Sequence, residues 1–495
     1  MTAPLITRRR LLEGAAAGAA VATLPSVAFA KRVKKVDVVV VGAGISGLAA
    51  ARAIKKQGHS VVVLEARDRV GGRLLNAPVT GGHITEVGGE YVGPTQDRIK
   101  ALAKAVGVQR FKTYNAGNNV LVVEGERSLY PADPGIPTDP DVMKAVGEGQ
   151  KLDALAKQVG VAAPWRAKRA AEFDGQTLAD WRDKNVSTSR GRAIFDVAAK
   201  AVWGAEPKEM SLLYALMYIA AAGNKQTPGS FLRLLQTPNG AQEERFVGGS
   251  QEIAIRVAAK LGSAVRLEHP VRHIARRGRG ARVIADGLTI DARQVIVAAP
   301  PALVTKMLFT PDLPSSKRRI LRAMVPGKLI KAECIYERPF WRDAGLSGQS
   351  ASDVGPANTT FDNGPPDGSL GILFGFIGGD SARAFQQMTP ADRRAAVLEN
   401  LVAVIGEQAR TPLDYFEKDW SDEQWTLGCP VGHIAPGVIR SNGAHLRSPH
   451  GAIHFAGTET ADYWLGYMDG AVRAGERAAR EVLSDLRTAR LARPA

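Results

Sequence analysis

Three glycines and one carboxylate near the start of the chain have the spacing of a dinucleotide phosphate site. Gly42, Gly44 and Gly47 form the motif G-x-G-x-x-G, and Glu65 follows the last of them after 18 residues. The first glycine permits a tight turn, the second lets the backbone approach a pyrophosphate, and the third lets a helix pack closely on a strand. A carboxylate placed like Glu65 accepts hydrogen bonds from both ribose hydroxyls. This spacing predicts that the chain binds a dinucleotide.

A second glycine-and-arginine turn follows in the segment LEARDRVGGR, residues 64–73. It holds Arg67, the pair Gly71–Gly72 and Arg73. Backbone N–H groups in such a turn, together with cationic side chains, bind anions. A second turn therefore suits a longer ligand whose pyrophosphate is approached from two sides, which favours FAD over NAD.

The elements that must position these residues are visible in the same stretch. VDVVVVGAG (36–44) is a near-continuous valine run, which predicts a parallel strand buried on both faces. ISGLAAARAIKKQG follows with helical spacing and a stop at Gly58, and HSVVVLEA (59–66) predicts a second buried strand. The N-terminus of that helix would offer free N–H groups and a positive dipole to phosphates.

The remainder of the chain mixes irregular segments with a few clear elements. Residues 112 to 240 are predicted to be helical and irregular, with proline-rich loops such as YPADPGIPTDPD. A loop and helix at 245–262 precede four short segments typical of a strand meander, and KLIKAECIYERPF predicts a later strand. The last part is predicted to hold a loop around Cys429, the strand AIHFAG and a final helix.

This order predicts an α/β fold of two domains, each assembled from separated segments. A Rossmann-type FAD-binding domain is assigned residues 31–111, 243–304 and 425–487. An α+β substrate-binding domain is assigned residues 112–242 and 305–424.

The composition is that of a soluble globular protein, with 45% hydrophobic and 23% charged residues. The sequence contains no stretch of about 20 apolar residues, so a membrane anchor is not predicted. The net charge is +16, but lysines and arginines are scattered without interleaved aromatic residues, so nucleic acid is not predicted as a partner. No metal site is predicted.

The first 30 residues have the features of an export signal. Arg8 and Arg9 precede a short alanine-rich run, and Ala28, Phe29 and Ala30 form an A-x-A end. Removal after Ala30 takes away three arginines and one glutamate, which leaves +14 on the mature chain. The twin-arginine export machinery accepts folded cargo, so the signal predicts a tightly held prosthetic group. We expect the mature protein in the periplasm, or outside the cell if the host has no outer membrane.

Six ordered blocks resemble the flavin amine oxidases, the monoamine oxidase family, over nearly all of the mature chain. Soluble bacterial members look most similar. The blocks are VVGAGISGLAAA, LEARDRVGGR, EVGGEYVGPTQDRI, NGAQEERFVGGS, IKAECIYERPFW and HFAGTETADYWLGYMDGAVRAGERAA. The resemblance implies the amine oxidase fold and a bound FAD.

The resemblance also implies which residues surround that cofactor. Val271 would supply backbone contacts to the adenine, and Met468 would open a last helix whose positive end faces the flavin. The full set is Gly42, Ala43, Gly44, Ile45, Ser46, Gly47, Glu65, Ala66, Arg67, Gly72, Arg73, Gly89, Glu90, Tyr91, Val271, Trp420, Cys429, Gly457, Glu459, Gly466 and Met468. For Trp420, a purely structural role is an equal alternative.

Three interpretations fit Cys429, one of two cysteines in the chain. In part of the family a cysteine in such a loop forms a thioether to the flavin, although Pro430 stands where tethering members often have tyrosine. A packed free thiol and a disulfide to Cys334 are the alternatives. Lys331 and Cys334 are three residues apart, so in a regular strand they face opposite sides. If Lys331 faces the flavin, Cys334 faces away from Cys429.

The resemblance assigns Lys331 and Tyr467 to catalysis. Lys331 matches a lysine that holds a water at the flavin, and burial would disfavour its charge and let it relay protons. Tyr467 matches one wall of an aromatic cage around the amine. Pro430 occupies the other wall, which we expect to be rebuilt by Trp464 or His433. Pocket-lining positions match Leu235 and Gln242, and entrance positions match Ala201 and Trp203.

The expected reaction is oxidation of a primary arylalkyl or cycloalkyl monoamine by O₂ and water to aldehyde or ketone, ammonia and hydrogen peroxide. A polyamine or L-amino-acid oxidase on the same fold is one alternative. A dehydrogenase that passes electrons to a periplasmic acceptor is another, and a non-catalytic flavin-binding protein is a third. Relatives are often dimers, so a homodimer is also an open expectation.

Overall fold

Residues 33–491 are described by a computed structural model of the chain. The predicted export signal, residues 1–30, lies outside them. The helices are α1 Ile45–Lys56, α2 Asp97–Ala105, α3 Pro140–Val159, α4 Ala170–Asp174, α5 Leu178–Asn185, α6 Ser189–Trp203, α7 Leu212–Ala221, α8 Phe231–Leu235, α9 Gln251–Leu261, α10 Pro301–Val304, α11 Ser315–Ala323, α12 Phe340–Asp343, α13 Gly379–Phe385, α14 Pro390–Ile405, α15 Ile439–Asn442 and α16 Met468–Leu491.

The strands belong to two large sheets and three small two-stranded ones. They are β1 Lys34–Val41, β2 Val61–Leu64, β3 Asn76–Pro78, β4 Ile84–Glu86, β5 Arg110–Lys112, β6 Asn118–Val123, β7 Glu126–Pro131, β8 Glu244–Phe246, β9 Val265–Arg266, β10 Val271–Arg277, β11 Gly280–Ala285, β12 Leu288–Val297, β13 Leu308–Thr310, β14 Met324–Pro326, β15 Leu329–Tyr336, β16 Leu346–Ser352, β17 Thr359–Asp362, β18 Gly371–Gly378, β19 Asp414–Asp419, β20 Gly432–Ile434 and β21 Ile453–Phe455.

The first large sheet carries the glycine motif. Its strand order is β13-β10-β11-β12-β1-β2-β9, and β21 pairs with the last residues of β12. β1 is parallel to both β12 and β2. Val38 and Val40 pack into a core with α1 and α16, whereas Val39 and Val41 belong to the core on the other face. The valine run is therefore buried on both faces, as its sequence predicts.

The second large sheet has the order β19-β15-β18-β17-β16-β6-β7. Every residue of β15 is buried, and β15 pairs antiparallel with β18 and β19. Ile330, Ala332 and Cys334 pack into a core that also contains residues of α14. Lys331 and Glu333 alternate with them and so lie on the other face. The predicted opposition of Lys331 and Cys334 is confirmed.

Several details differ from the sequence predictions. β6 and β7 form a hairpin inside the stretch predicted to be helical and irregular. β9 pairs in parallel with β2 instead of joining the meander, which consists of β10, β11 and β12. β13, from the segment assigned to the substrate domain, joins the first sheet. From Lys34 onward the described chain packs as one compact unit, so the division into two domains stays a prediction.

None of the helices between residues 33 and 491 combines the length and the apolar character that a bilayer span requires.

Candidate active site

A cavity of about 540 Å³ opens between the glycine motif and β15. Most of the residues predicted for the site line it, namely Gly42, Gly44, Ile45, Ser46, Glu65, Ala66, Arg67, Gly72, Arg73, Gly89, Glu90, Tyr91, Ala201, Leu235, Gln242, Val271, Lys331, Trp420, Cys429, Pro430, Gly457, Gly466, Tyr467 and Met468. Ala43, Gly47, Trp203 and Glu459 do not line it.

The glycine motif makes the turn from β1 into α1. Gly42 has a φ of 100°, which favours glycine. A Cβ on Gly47 would lie 2.0 Å from the carbonyl oxygen of Gly42, so helix and strand approach too closely for any side chain. Gly44, the N-cap of α1, faces Gly72 of the second turn, where a Cβ would lie 3.2 Å from the Cα of Gly44. The two turns therefore leave a cradle of bare backbone at the N-terminus of α1.

Nothing acidic occupies the first turn of α1, and no side chain caps its first N–H groups. The positive end of this helix dipole is therefore open to an anion. The carboxylate of Glu65 lies next to both glycine turns. Its Oε2 accepts from the N–H of Ala43 at 2.7 Å, and its Oε1 accepts from the N–H of Arg67 at 3.0 Å. Each oxygen keeps a lone pair for a further donor.

The partly exposed Arg73 and the buried Glu459 form an ion pair at the cavity wall. Nη1 of Arg73 donates to Oε1 of Glu459 at 2.7 Å and to the carbonyl oxygen of Pro430 at 2.8 Å. Glu459 thus orients Arg73, which does line the cavity. Within the described chain, Oε2 of Glu459 has no hydrogen-bond partner.

Cys429 lines the cavity as a free thiol, and Cys334 is also free, so the disulfide interpretation is wrong. Cys334 is fully buried on the far face of β15. Burial raises the pKa of the Cys429 thiol to about 12. Cys429 packs with Leu329 and Trp420, and the indole N–H of Trp420 donates to the carbonyl oxygen of Val87 at 2.7 Å. Trp420 therefore lines the cavity and also holds the segment that carries Val87 in place.

Lys331 has buried partners that the sequence analysis did not predict. Its Nζ lies 3.1 Å from Oε1 of Glu90 and 3.6 Å from Oε1 of Glu333, and it also donates to the carbonyl oxygen of Glu86. The ring of Phe374 lies 3.9 Å from Nζ. Sequence reasoning missed these partners, because Glu86 at the end of β4 and Glu90 in the loop after it are more than 240 positions away in the chain.

Tyr467 stands in the cavity wall, but neither residue expected to face it does so. Trp464 packs edge-on against Tyr467 at 4.9 Å and is held by Thr95 outside the lining, and His433 does not reach the cavity. Tyr218 lies beside Tyr467 instead, with ring centroids 6.1 Å apart.

Five aromatic side chains of the lining were not predicted: Tyr130, Tyr218, Phe361, Phe376 and Trp425. Tyr218 lies on α7, whose sequence LLYALMYIAA is apolar on all sides and therefore gives no sign of a pocket-facing residue. Trp203, expected at the entrance, is fully buried behind Tyr218, with ring centroids 5.4 Å apart. Ala201 of the same helix does line the cavity.

Comparison with known proteins gives one consistent family. The model of the family described as flavin containing amine oxidoreductase matches residues 45–483. The Mycobacterium tuberculosis protein AofH, whose assigned name is that of a flavin-containing monoamine oxidase, is 42% identical over 450 residues, which are 90% of this chain and 96% of that protein.

Two solved structures share the fold. Cyclohexylamine oxidase from Brevibacterium oxydans is 34% identical with a TM-score of 0.87, and the match covers 91% of this chain and 99% of that one. Wild-type putrescine oxidase bound to putrescine is 33% identical with a TM-score of 0.86 and the same coverage.

Proposed function

The chain belongs to the family of flavin-containing amine oxidoreductases, and from this premise we propose that it oxidises primary arylalkyl or cycloalkyl monoamines. It is an FAD-dependent enzyme with the amine oxidase fold. The products of the proposed reaction are an aldehyde or ketone, ammonia and hydrogen peroxide, with O₂ as the final electron acceptor.

The residues of the cavity fit FAD. The bare-backbone cradle between Gly44 and Gly72 would be filled by a Cβ on Gly72, and a pyrophosphate there would meet the open N-terminus of α1. Glu65 would accept from the adenosine ribose, and Arg73 would be held toward the cofactor by Glu459. The unpartnered Oε2 of Glu459 is a buried acceptor that a ligand donor would satisfy.

When bound, FAD accepts a hydrogen with two electrons from the carbon next to the amine nitrogen. The protein orients the amine and excludes water. Tyr467 and Tyr218 form one wall of the aromatic part of the cavity, called the chamber below, and Phe361 and Phe376 contribute further aromatic surface. An uncharged amine loses less hydration free energy than an ammonium when it binds against these aromatic side chains. Lys331 lines the same cavity and would offer a hydrogen-bond donor there when the cofactor and the amine are bound.

The charges of the lining carry the substrate proposal. Its carboxylates, among the residues described, are Glu65 at the ribose end and Glu90, which is paired with Lys331. No lining carboxylate is thus left to bind the second ammonium of a polyamine. The lining arginines Arg67, Arg73 and Arg272 are paired with Glu423, Glu459 and Asp286, so none of them awaits the carboxylate of an amino acid. Lys306 also lines the cavity, but it is exposed to solvent.

A panel of amines tests this proposal on the purified chain in air, with hydrogen peroxide measured. We expect turnover of cyclohexylamine and of phenylalkyl monoamines, with putrescine and L-amino acids at least about tenfold poorer in kcat/KM, because an unpaired buried charge costs more than 1.4 kcal/mol. Preference for putrescine would favour the diamine alternative. Dye reduction without peroxide would favour a dehydrogenase.

We also propose export by the twin-arginine route, supported by Arg8, Arg9 and the A-x-A end at Ala30. Cell fractionation of the full chain tests it. The amine oxidase should appear outside the cytoplasm, and the pair R8K and R9K should retain it inside. Equal export of both forms would contradict the proposal.

A further inference from the structure

Five charged side chains are buried together behind the cavity wall. Lys331 and Glu333 lie on β15, Glu86 ends β4, Glu90 follows in the loop and Arg245 lies on β8. None of these side chains is more than 5% exposed. Sequence-distant elements are thus brought together around one buried ionic cluster.

The cluster has an odd charge count. Its two cations, Lys331 and Arg245, face three carboxylates, so full ionisation would leave one net negative charge away from water. An unbalanced buried charge is costly, and a buried carboxyl group takes up a proton instead. One of the three carboxylates is therefore expected to hold a proton near neutral pH.

Hydrogen bonds distinguish Glu86 from the other two carboxylates. Glu86 accepts from Arg245 at 3.2 Å and from the N–H of Ser250 at 2.7 Å, and Glu333 accepts from the hydroxyl of Thr85 at 2.9 Å. The charged donor at Glu86 favours its ionised form, whereas burial raises the pKa of Glu333 and its Oε1 has no hydrogen-bond partner among residues 33–491.

Glu90 is the carboxylate of the cluster that can exchange its proton with the cavity. Its Oε1 accepts from Lys331 alone, and its Oε2 has no partner among residues 33–491. Glu90 also lines the cavity, whereas Glu86 and Glu333 do not. Burial raises the pKa of Glu90 to about 7, and the neighbouring Glu86 and Glu333 raise it while Lys331 and Arg245 lower it. The adjacent Tyr91 is the remaining titratable neighbour, and burial holds its pKa well above 10.

We propose that Glu90 is a positioning residue for amine oxidation: it holds Lys331 at the cavity wall and, by exchanging one proton, switches the buried cluster between neutral and singly negative. This inference rests on the proposed function. Removal of a hydrogen with its electron pair leaves positive charge on the amine carbon and nitrogen, and a negative cluster beside the chamber stabilises that charge. The ionised form of Glu90 is then the more active one.

Thermal unfolding of the FAD-loaded chain at a series of pH values gives a readout that needs no substrate. A carboxyl group whose pKa is raised on folding stabilises the protein below pH 4.5 and loses that contribution as pH rises to about 7. The wild type should therefore lose melting temperature relative to E90Q over this range. In E333Q one neighbouring negative charge is gone, so the same loss should occur at lower pH.

Kinetics give the second readout. Removal of a group that contacts the transition state directly lowers kcat by about a hundredfold or more. Because Glu90 acts through Lys331, we expect the kcat of E90Q to fall by only about tenfold, with KM little changed. E90D should recover part of kcat and keep its pH dependence. If E90Q folds poorly, the pH dependence of E90D and of E333Q is compared with that of the wild type instead.

Parallel melting profiles of wild type and E90Q from acid to neutral pH would overturn the inference, as would a titration in E333Q that does not move. If the melting profiles behave as expected but no amine is oxidised, the proposed function fails and the buried proton site stands. The two failures are thus distinguishable.

Discussion

Replacement of Gly47 by alanine tests the geometry on which cofactor binding depends. The new Cβ would lie 2.0 Å from the carbonyl oxygen of Gly42, whereas ordinary contact begins at 3.4 Å, so α1 and the turn must separate by 3.4 minus 2.0, or 1.4 Å. Overpacking of this kind costs about 1–3 kcal/mol. Because the displaced atom belongs to the turn that cradles the phosphates, we expect FAD affinity to fall by about ten- to a hundredfold.

The assay compares the ratio of flavin to protein absorbance after purification and then the dissociation constant of FAD from reconstituted apoprotein. Gly147 provides a matched control, since it is exposed on α3 and a Cβ there would meet nothing within 4 Å. G147A should keep its FAD and gain up to about 1 kcal/mol of helix stability. A G47A protein that retains full FAD at wild-type affinity would refute this description of the turn.

Three further predictions concern buried groups. In R245M the carboxylate of Glu86 loses its partner in a pair that is at most 5% exposed, so the free energy of unfolding should fall by about 3–5 kcal/mol in chemical denaturation, and an unchanged midpoint would contradict the ion pair. Burial lowers the pKa of Lys317 to about 7, so the wild type should gain stability relative to K317M as pH rises from about 7 toward 10.5, by at most about 1.4 kcal/mol per pH unit. Equal melting profiles for these two proteins would show that Lys317 keeps an ordinary pKa. For Cys429, which lines the cavity as a free thiol, we expect wild-type flavin fluorescence to remain with the denatured polypeptide on a gel and to be lost in C429S, and loss in both would exclude a tether.

The nucleotide half of the site could be predicted because its signals are local. The valine run, the spaced glycines and Glu65 lie within about 30 consecutive residues, and each constrains its neighbours in the way that strand, turn and helix require. β1, α1 and β2 appear where this stretch places them. Strand parity on β15 likewise separated Lys331 from Cys334 without any knowledge of the partners.

The hairpin of β6 and β7 was missed although it has a local signal. Glu124 and Gly125 both adopt left-handed backbone, with φ of 53° and 80°, which is the geometry of a two-residue hairpin turn. The run NNVLVV before them alternates poorly, and β6 is buried at nearly every position. A continuous apolar run of this length is not distinguishable from a buried helical segment by periodicity alone.

The partners of Lys331 and the aromatic chamber could not be predicted, because they depend on contacts between remote elements. Glu90 reaches the cluster from the loop after β4 and Arg245 reaches it from β8, and nothing near either residue in sequence marks it as charged yet buried. Tyr218 has the sequence context of a core residue and becomes a wall of the chamber only through its place beside Tyr467.

The central claim is that this cavity brings an uncharged amine to a bound flavin. Anaerobic addition of cyclohexylamine to the purified yellow protein tests it most directly, with the visible flavin absorbance followed in time. The flavin should bleach, and admission of air should restore the colour with one hydrogen peroxide formed per flavin. A protein that carries FAD but keeps its colour with every monoamine of the panel would contradict the claim.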